Sequence, residues 1–309
     1  MTDSPEVETV PGATRCGFVA LIGAPNVGKS TLVNALVGSK VTIVSRKVQT
    51  TRALIRGIVI EGQSQIILVD TPGIFAPKRR LDRAMVRTAW SGAHDADLVC
   101  VLLDAKMGID DEADAILSHA AGVAHDKILI VNKVDLVPRE KLLALVKTAN
   151  DRLAFTRTFM ISALSGDGVD DVRRTLATMV PPGPFHYPED QMSDAPLRHL
   201  AAEITREKIY SHLHQELPYQ STVETDSWTE RKDNSIRIEQ TIFVERDSQR
   251  KIVLGKAGAT IKSIGEQARK EIAEITGVPV HLFLFVKVRE NWGDDPERYR
   301  EMGLDFPKE

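Results

Sequence analysis

The chain contains little net charge, little cysteine and no long apolar segment. Its 309 residues carry 40 Lys and Arg against 43 Asp and Glu, so the net charge is -3 and a generally polybasic nucleic-acid or membrane binder is excluded. No apolar run approaches the roughly 18 residues that span a bilayer. The two cysteines, Cys16 and Cys100, lie far apart in apolar runs, which predicts buried reduced thiols rather than a disulfide or a metal site.

The first ten residues are acidic and polar, and they lack both the basic start and the apolar stretch of a signal peptide. We therefore expect a cytoplasmic protein whose residues 1–15 form a disordered tail. At 42% hydrophobic residues, the rest of the chain can fill one or two cores, and its length predicts two domains.

Between residues 16 and about 180, short apolar runs alternate with helix-like stretches. The predicted strands are 17–22, 54–60, 66–69, 98–103, 128–131 and 158–161, and the predicted helices are 29–37, 81–93, 111–121, 138–149 and 168–179. This alternation predicts an α/β domain with a doubly wound, mostly parallel sheet over 16–182. No helix separates 54–60 from 66–69, so these two strands are expected to form a hairpin at the sheet edge.

Five prolines between positions 181 and 196 predict a linker, which we assign to residues 183–197. Beyond the linker the order changes to a helix at 197–216, strands at 221–230 and 235–245, a helix at 259–275 and a strand at 280–288. The strand at 235–245 has period-two apolar alternation, and the helix at 259–275 has one apolar face. A smaller α+β domain is therefore expected over 198–309.

Residues 23–30, with the sequence GAPNVGKS, match the phosphate-binding pattern G-x-x-x-x-G-K-[ST] between a predicted strand and a predicted helix. Gly23 and Gly28 let backbone amides approach phosphates, and the helix N-terminus adds positive potential. Lys29 places a cation on the β- and γ-phosphates, and the Ser30 hydroxyl can ligate Mg²⁺. Taken alone, the pattern leaves a simple glycine-rich turn as the alternative.

Three further motifs follow in order, each at the end of a predicted strand. Asp70 in the sequence DTPG can hold Mg²⁺ through water, and the Gly73 amide can bond the γ-phosphate. Asp135 in NKVD can accept hydrogen bonds from the ring N–H and the exocyclic amine of guanine, which adenine does not offer. The Ala163 amide in SAL can reach the guanine carbonyl. Together the motifs predict a guanine-nucleotide site at the carboxyl ends of the strands.

A sensor of the γ-phosphate needs a hydroxyl on a mobile loop. The sequence QTTR, from Gln49 to Arg52, offers two, and we assign Thr51 as the Mg²⁺ ligand, with Thr50 as the near alternative. Two threonines that merely open an edge strand remain a further alternative.

The predicted site has three overlapping sets of residues. The expected Mg²⁺ ligands are Ser30, Thr51 and Asp70, and the expected catalytic groups are Lys29, Thr51 and Gly73. The predicted nucleotide-binding residues are Gly23, Ala24, Pro25, Asn26, Val27, Gly28, Lys29, Ser30, Thr31, Asp70, Thr71, Pro72, Gly73, Ile74, Asn132, Lys133, Val134, Asp135, Ser162, Ala163 and Leu164. Ile74 stands where a water-orienting Gln would follow Gly73, which predicts slow intrinsic turnover that depends on positioning, with help from a partner.

The five motifs resemble those of the translation-factor-class GTPases, and the Asn26 form of the first motif together with TTR resembles the Era family. The resemblance implies GTP binding, slow hydrolysis to GDP, and switch loops here at about 40–53 and 70–90. Related GTPases with Asn at this position use K⁺ as a fixed positive charge, which is a hypothesis for this chain.

In the smaller domain, Gly255, Lys256, Ala257 and Gly258 form a G-x-x-G pattern. An isolated match favours a plain turn, but paired strands and an amphipathic helix flank this one, which resembles the loop of a type II KH domain that clamps single-stranded RNA. Residues 246–270 carry seven Lys and Arg against two acids, although a solvated helix face can hold some of this charge. The predicted RNA-binding residues are Gly255, Lys256, Ala257, Gly258, Lys251 and Lys262. Three isoleucines line a groove or belong to the core: Ile252, Ile261 and Ile264.

A GTPase domain followed by a type II KH domain resembles the Era family over nearly the whole chain, except for the first fifteen residues. That resemblance implies binding near the 3′ end of small-subunit ribosomal RNA and a role in maturing the small ribosomal subunit. We expect a monomer, and peripheral association with the inner face of the cell membrane stays open. The alternative is a GTPase whose small domain binds a protein or membrane partner instead of RNA.

Both predicted switch stretches are basic. Arg46, Lys47, Arg52 and Arg56 lie in the first, and the second contains Lys78, Arg79, Arg80, Arg83 and Arg87 around the single acid Asp82. A solvated surface is the simplest interpretation. The alternative is that RNA or the ribosome contacts these stretches and thereby senses the nucleotide state.

Overall fold

The computed structural model describes residues 14–45, 47, 50–213, 217–290 and 292–306. Most of the predicted tail, Arg46 and Gln49 lie outside these ranges. The first strand begins at Arg15, one residue inside the expected tail, and the Cys16 N–H donates to the carbonyl of Pro181 at 2.9 Å.

A six-stranded sheet forms the first part of the molecule. Its strands are β1 (Arg15–Ile22), β2 (Ile55–Glu61), β3 (Ser64–Asp70), β4 (Leu98–Asp104), β5 (Asp126–Asn132) and β6 (Arg157–Ile161). The strand order is β2-β3-β1-β4-β5-β6, with β2 antiparallel to β3 and every other pair parallel. The doubly wound, mostly parallel sheet and its edge hairpin are confirmed. Every residue of β3 and β4 is buried, as expected of strands covered on both faces.

Five helices cover the two faces of this sheet. They are α1 (Lys29–Val37), α2 (Arg80–Asp95), α3 (Asp111–Ala120), α4 (Arg139–Arg152) and α5 (Val169–Met179). Along β1, Val19 and Leu21 pack in the cluster that includes α1 and α5, whereas Ala20 and Ile22 pack in the cluster that includes α2 and α3. This alternation is the period of a strand that is buried on both faces. Within the described ranges, no helix is both long enough and apolar enough to cross a membrane.

The predicted linker packs along the edge of the sheet. Gln65 Nε2 donates to the carbonyl of Tyr187 at 2.7 Å, and the Ile58 N–H donates to the carbonyl of Met192 at 2.9 Å. Arg56 and Asp194 form an ion pair at 2.7 Å. The linker therefore satisfies polar groups of an edge strand that would otherwise stay open to pairing.

A three-stranded sheet with helices forms the second part. Its elements are α6 (Leu197–His212), β7 (Ser221–Glu230), β8 (Ile236–Val244), α7 (Asp247–Leu254), α8 (Ala259–Thr276), β9 (Val280–Val288) and α9 (Pro296–Glu301). Strand β8 is antiparallel to β7 and parallel to β9. The smaller α+β domain is confirmed, but helix α7 was not predicted. Its only buried residue is Val253, so it lacks the apolar period by which a helix is recognised.

The predicted switch I segment completes the core of this second part. Ile43 is fully buried in a cluster with Leu200 and Ile204 of α6 and Ile272 of α8. One hydrophobic core therefore contains side chains from both sides of the linker.

Candidate nucleotide and RNA sites

A cavity of about 830 Å³ opens at the carboxyl ends of the strands of the large sheet. Residues from all four predicted nucleotide motifs and from switch I line it, including Lys29, Thr51, Gly73, Asp135 and Ala163. The fold thus brings together segments that are more than a hundred residues apart in sequence, at the edge where open α/β sheets bind ligands.

The loop before α1 is shaped for phosphate. Gly28 has a φ of 100°, and a Cβ built there would lie 2.2 Å from Asn132 Nδ2, so only glycine fits. Lys29 is buried, and its Nζ donates to the carbonyls of Gly23 and Ala24 at 3.0 Å. Burial lowers the pKa of Lys29 to about 8, although the nearby Asp70 carboxylate acts in the opposite direction. A buried cation at a helix N-terminus is a binding site for anions.

The Asp70 carboxylate gathers three hydroxyl groups. Its Oδ2 accepts hydrogen bonds from Ser30 Oγ at 2.7 Å, Thr42 Oγ1 at 2.9 Å and Thr51 Oγ1 at 3.4 Å. Burial raises the pKa of Asp70, against the effect of these hydroxyls and of Lys29. Among the described residues, the buried Asp70 Oδ1 has no hydrogen-bond partner. Three hydroxyl oxygens close to one carboxylate oxygen, with the other carboxylate oxygen left unpaired, form a set of hard oxygen ligands that fits Mg²⁺.

The two candidate threonines of switch I differ in position. Thr51 Oγ1 lies 2.9 Å from Ser30 Oγ, so Thr51 is brought together with the other expected Mg²⁺ ligands. Thr50 Oγ1 instead donates to the carbonyl of Lys47 and lies 2.7 Å from Ser45 Oγ. The geometry favours Thr51 over Thr50.

Asn132 joins the loops of the base-binding side. Its Nδ2 donates to the carbonyl of Val27 at 2.8 Å, and its Oδ1 accepts from the N–H groups of Lys133 and Ala163. The Ala163 N–H is therefore engaged by Asn132, which differs from its expected contact with the guanine carbonyl. The Asp135 carboxylate is exposed at the cavity and makes no hydrogen bond within the described part of the chain.

Asp104 was missed by the sequence analysis. Lys133 Nζ donates to Asp104 Oδ2 and to the carbonyl of Asn26, both at 2.6 Å, so Asp104 anchors the NKVD loop. The signal was present, because Asp104 ends an apolar strand in the same way as Asp70 does. Asn34 was also missed, and its side-chain oxygen accepts from the N–H groups of Val41 and Thr42 at the start of switch I.

Four predicted nucleotide-binding residues have side chains that do not face the cavity. Val27, Ile74 and Val134 pack in hydrophobic clusters, and Thr71 Oγ1 donates to the carbonyl of Leu21 at 2.6 Å. The Ile74 side chain is buried and its N–H donates to the carbonyl of Gly23, so the role of Ile74 at the nucleotide stays a prediction. Pro72 is buried beside them. The remaining predicted residues that line the cavity include Pro25, Asn26, Thr31, Ser162 and Leu164.

The G-x-x-G pattern forms an exposed loop between α7 and α8. A Cβ at Gly255 would lie 2.2 Å from Thr260 Oγ1, and Gly255, Ala257 and Gly258 all have positive φ. Lys256 is exposed in the loop, and Lys262 is exposed on the first turn of α8.

The remaining basic and apolar side chains near this loop differ in exposure. Lys251 is also exposed and forms an ion pair with Asp247 at 3.1 Å. Of the three isoleucines, Ile264 belongs to the core, Ile261 is partly buried against it and Ile252 is 55% exposed beside the loop.

Arg52 of the basic switch I stretch does not lie on a solvated surface. It is only 3% exposed, and its guanidinium donates to the carbonyls of Ser221 and Tyr219 and to the Tyr210 hydroxyl at 2.9 to 3.2 Å. It also lies 5.4 Å from the ring of Trp292. Burial lowers the pKa of Arg52. This arginine is therefore a contact between switch I and the second domain.

Further polar contacts fasten switch I to α6 and α8. Lys40 pairs with Glu207 at 2.7 Å and also with Glu271, and the Val44 N–H donates to Glu207 Oε1 at 2.8 Å. Arg206 of α6 donates to the carbonyl of Thr50. The segment that includes Thr51 is thus held on both sides by the domain that carries the G-x-x-G loop.

Two family models match the chain: a 50S ribosome-binding GTPase at residues 18–133 and a KH domain at residues 216–293. The GTPase Era of Bradyrhizobium sp. (strain ORS 278) is 89% identical over 98% of this chain and 99% of its own length. Two solved structures are each 36% identical and cover 94% of this chain and 99% of theirs. They are a variant of Aquifex aeolicus Era bound to GDP·AlF4⁻, with a TM-score of 0.88, and Era in complex with MgGDPNP and nucleotides 1506–1542 of 16S ribosomal RNA, with a TM-score of 0.87.

Proposed function

Because the chain belongs to the Era family of GTPases and is itself a GTPase, we propose that it is a GTP-controlled RNA-binding protein. The chain consists of a P-loop GTPase domain followed by a KH domain. In the proposal it binds the 3′ end region of small-subunit ribosomal RNA and assists maturation of the small ribosomal subunit. One observation carries this proposal: Ile43 and Arg52 of switch I, the segment that lines the nucleotide cavity, are buried against the domain that presents the G-x-x-G loop.

The proposed roles at the nucleotide follow from the positions of the side chains. Lys29 neutralises charge on the β- and γ-phosphates, and the Gly73 N–H donates to the γ-phosphate. A Cβ at Gly73 would lie 2.9 Å from Pro25, which supports a need for glycine at this close approach. Asp135, exposed at the cavity, accepts both guanine N–H donors and so selects GTP over ATP.

The proposed Mg²⁺ ligands are Ser30 and Thr51 directly and Asp70 through water. When bound, Mg²⁺ supplies positive charge that stabilises the phosphate oxygens during transfer. The role of the three side chains is to hold the ion and to orient it. The hydrogen bonds of the two hydroxyls to Asp70 fix their direction toward one point, and Asp70 itself is fully buried.

Turnover is proposed to be slow because the position after Gly73 carries a buried aliphatic side chain, Ile74, rather than a glutamine.

A K⁺ ion beside Asn26 is proposed as an additional fixed charge, since Asn26 lines the cavity. Hydrolysis rates measured in matched sodium and potassium salts test this, and equal rates would remove the ion from the mechanism.

The nucleotide state is proposed to reach the RNA-binding domain through residues 40–52. Thr51 would hold the metal ion when it is bound, and Ile43 and Arg52 of the same segment would then stay in one arrangement against α6 and β7. Hydrolysis removes that restraint and shifts the population of domain arrangements. A ligand changes such an equilibrium only by its differential affinity for the two states, so the effect is measurable as a ratio of affinities.

The proposed RNA site is the exposed G-x-x-G loop with Lys251, Lys256 and Lys262. A relative has been solved with nucleotides 1506–1542 of 16S ribosomal RNA, which supports an RNA of this origin as the partner. Full-length protein loaded with a GTP analogue should bind a single-stranded RNA of the small-subunit 3′ sequence, and Lys256→Glu should weaken it at least tenfold. Absence of binding would favour the alternative, a protein or membrane partner for the second domain.

We further propose that the protein acts as a cytoplasmic monomer, and peripheral association with the inner face of the cell membrane stays open. Light scattering after gel filtration gives the mass directly. Sedimentation with anionic vesicles, at the salt concentration used for RNA binding, tests peripheral membrane association.

A further inference from the structure

A second cavity, of about 330 Å³, lies where the end of switch I meets the second domain. Arg52 and Ala53 of switch I, Pro196 at the end of the linker, and residues of α6, β7 and α9 line it. Among the described residues, none lines both this cavity and the nucleotide cavity. Its volume is in the range of small-molecule sites, so it has room for a ligand of its own.

The charged side chains around this interdomain cavity include one more arginine than carboxylates. They are Arg52, Arg198, Arg206, Arg298, Glu203, Glu224 and Asp226. Two arginines are already matched, because Arg206 pairs with Glu203 and Arg298 pairs with Glu224. The excess of positive charge therefore lies with the other two arginines.

Of these two, Arg198 is exposed and Arg52 is buried. Within the described ranges, the Arg52 guanidinium contacts only carbonyl and hydroxyl oxygens and the Trp292 ring, and its Nε has no hydrogen-bond partner. Although burial acts to lower it, the pKa of Arg206 is raised because Glu203 lies beside it, whereas burial lowers the pKa of Arg52. Buried charges are normally paired, so Arg52 lacks the counter-charge that its surroundings call for.

Two further groups at the cavity suit a negatively charged ligand. Helix α6 begins beside it, with no acid in its first turn, and Pro196 before the helix makes no side-chain cap. The N–H groups at such a helix end favour an anion. The half-buried hydroxyl of Thr222 also lines the cavity, and in the described part of the chain it makes no hydrogen bond. A guanidinium, a helix N-terminus and a hydroxyl are groups that together bind tetrahedral oxyanions.

We propose that the interdomain cavity binds one small oxyanion of the phosphate class, which supplies the counter-charge of Arg52. An ion at this place lies between switch I and α6, and it therefore stabilises the contact between the GTPase domain and the second domain. Inorganic phosphate, which GTP hydrolysis releases, has the required chemistry. The inference is independent of RNA binding.

Equilibrium dialysis against radioactive inorganic phosphate measures this site directly. The full-length protein is loaded with Mg²⁺ and a non-hydrolysable GTP analogue, so that the γ-phosphate position of the nucleotide site is filled, and chloride keeps the ionic strength constant. Wild type is compared with Arg52→Met and Thr222→Val. The matched control is Arg173→Met, which removes an arginine paired with Asp170 on α5, and Lys256→Glu tests the G-x-x-G loop as a competing site.

Wild type should bind one phosphate per chain. Arg52→Met should weaken that binding at least tenfold and Thr222→Val about threefold, while the two controls should bind as wild type does. Melting temperatures and the affinity for the GTP analogue verify folding, and Thr222→Val decides the question if Arg52→Met does not fold.

Three results would overturn the inference: no phosphate bound by wild type, a loss confined to Lys256→Glu, or an affinity unchanged in the folded cavity variants. Acetate bound as tightly as phosphate would overturn the assignment to the phosphate class and favour a carboxylate ligand. Since none of these measurements uses RNA, each of these results leaves the proposed function intact.

Discussion

The burial of Ile43 in the core of the second domain yields a quantitative prediction. Ile43 is 0% exposed, in a cluster with side chains of α6 and α8. Shortening a buried isoleucine to alanine costs about 2 to 5 kcal/mol, depending on how far the surroundings relax. Because Ile43 belongs to switch I, part of that free energy holds switch I on the second domain. Ile43→Ala should therefore lower stability and also weaken the link between nucleotide and RNA.

The assay needs a variant with the same loss of packing but an intact switch. Ile272→Ala provides it, since Ile272 lies in the same cluster, is 1% exposed and belongs to α8. Urea unfolding should give similar losses for both variants. The ratio of RNA affinities between the GTP-analogue and GDP forms should move toward one in Ile43→Ala only. Val44→Ala, at the neighbouring position that is 41% exposed, should change the free energy of unfolding by less than about 0.5 kcal/mol.

Two results would refute this reasoning. If Ile43→Ala lost stability but kept the wild-type ratio of affinities, Ile43 would contribute packing without coupling. If it kept its stability, the side chain would not be buried in solution. Coupling between two sites is typically about 1 to 3 kcal/mol. The ratio of RNA affinities between the GTP-analogue and GDP forms of the wild type should therefore be large enough to measure by titration.

Three further predictions concern the nucleotide site. Thr51→Ala should slow single-turnover GTP hydrolysis, measured as phosphate release, at least tenfold with little change in GDP affinity. Thr50→Ala should not slow it. If instead Thr50→Ala slowed phosphate release and Thr51→Ala did not, Thr50 would be the metal ligand. Because burial lowers the pKa of Lys29 to about 8 and bound phosphates favour its charged form, GDP binding at pH 8.5 should take up about three quarters of a proton and at pH 6.5 almost none. Calorimetry in buffers of different ionisation enthalpy measures this uptake, and an uptake that is independent of pH would contradict the origin in Lys29. Asp135→Ala should weaken GTP and GDP alike by about 1.5 to 3 kcal/mol and leave the weak binding of ATP unchanged in an equilibrium titration; a GTP-specific loss would argue against a role at the base.

Patterns within short segments predicted most of the fold. The strands of the large sheet appear within two residues of their predicted bounds, because β3, β4 and the end of β5 are continuous buried apolar runs. Helix α7 escaped detection because it is short, charged and buries little beyond Val253. The nucleotide motifs were recognisable since each has fixed chemistry at a strand end.

Contacts between distant segments were not predictable in this way. Arg52 has no local feature that distinguishes it from a solvated arginine, and its burial depends on carbonyls near Ser221 and Tyr219 in another domain. Ile43 lies in the short run Val41-Thr42-Ile43-Val44, and nothing in that run distinguishes Ile43 as the residue that packs in the core of the second domain. The burial of the Ile74 side chain was not predictable either, because it depends on packing in a cluster with Ala20 and Ala89.

The position of Ile43 also bears on how such a protein can be divided or recombined. The covalent boundary between the domains lies in the proline-rich segment, but the boundary between the cores lies far upstream, at switch I. An isolated fragment that begins after the linker would lack the side chain that fills its core and the guanidinium of Arg52 that satisfies its buried carbonyls. A chimera that joins the RNA-binding half of one relative to the GTPase half of another would therefore have to carry residues 40–52 along with the RNA-binding half.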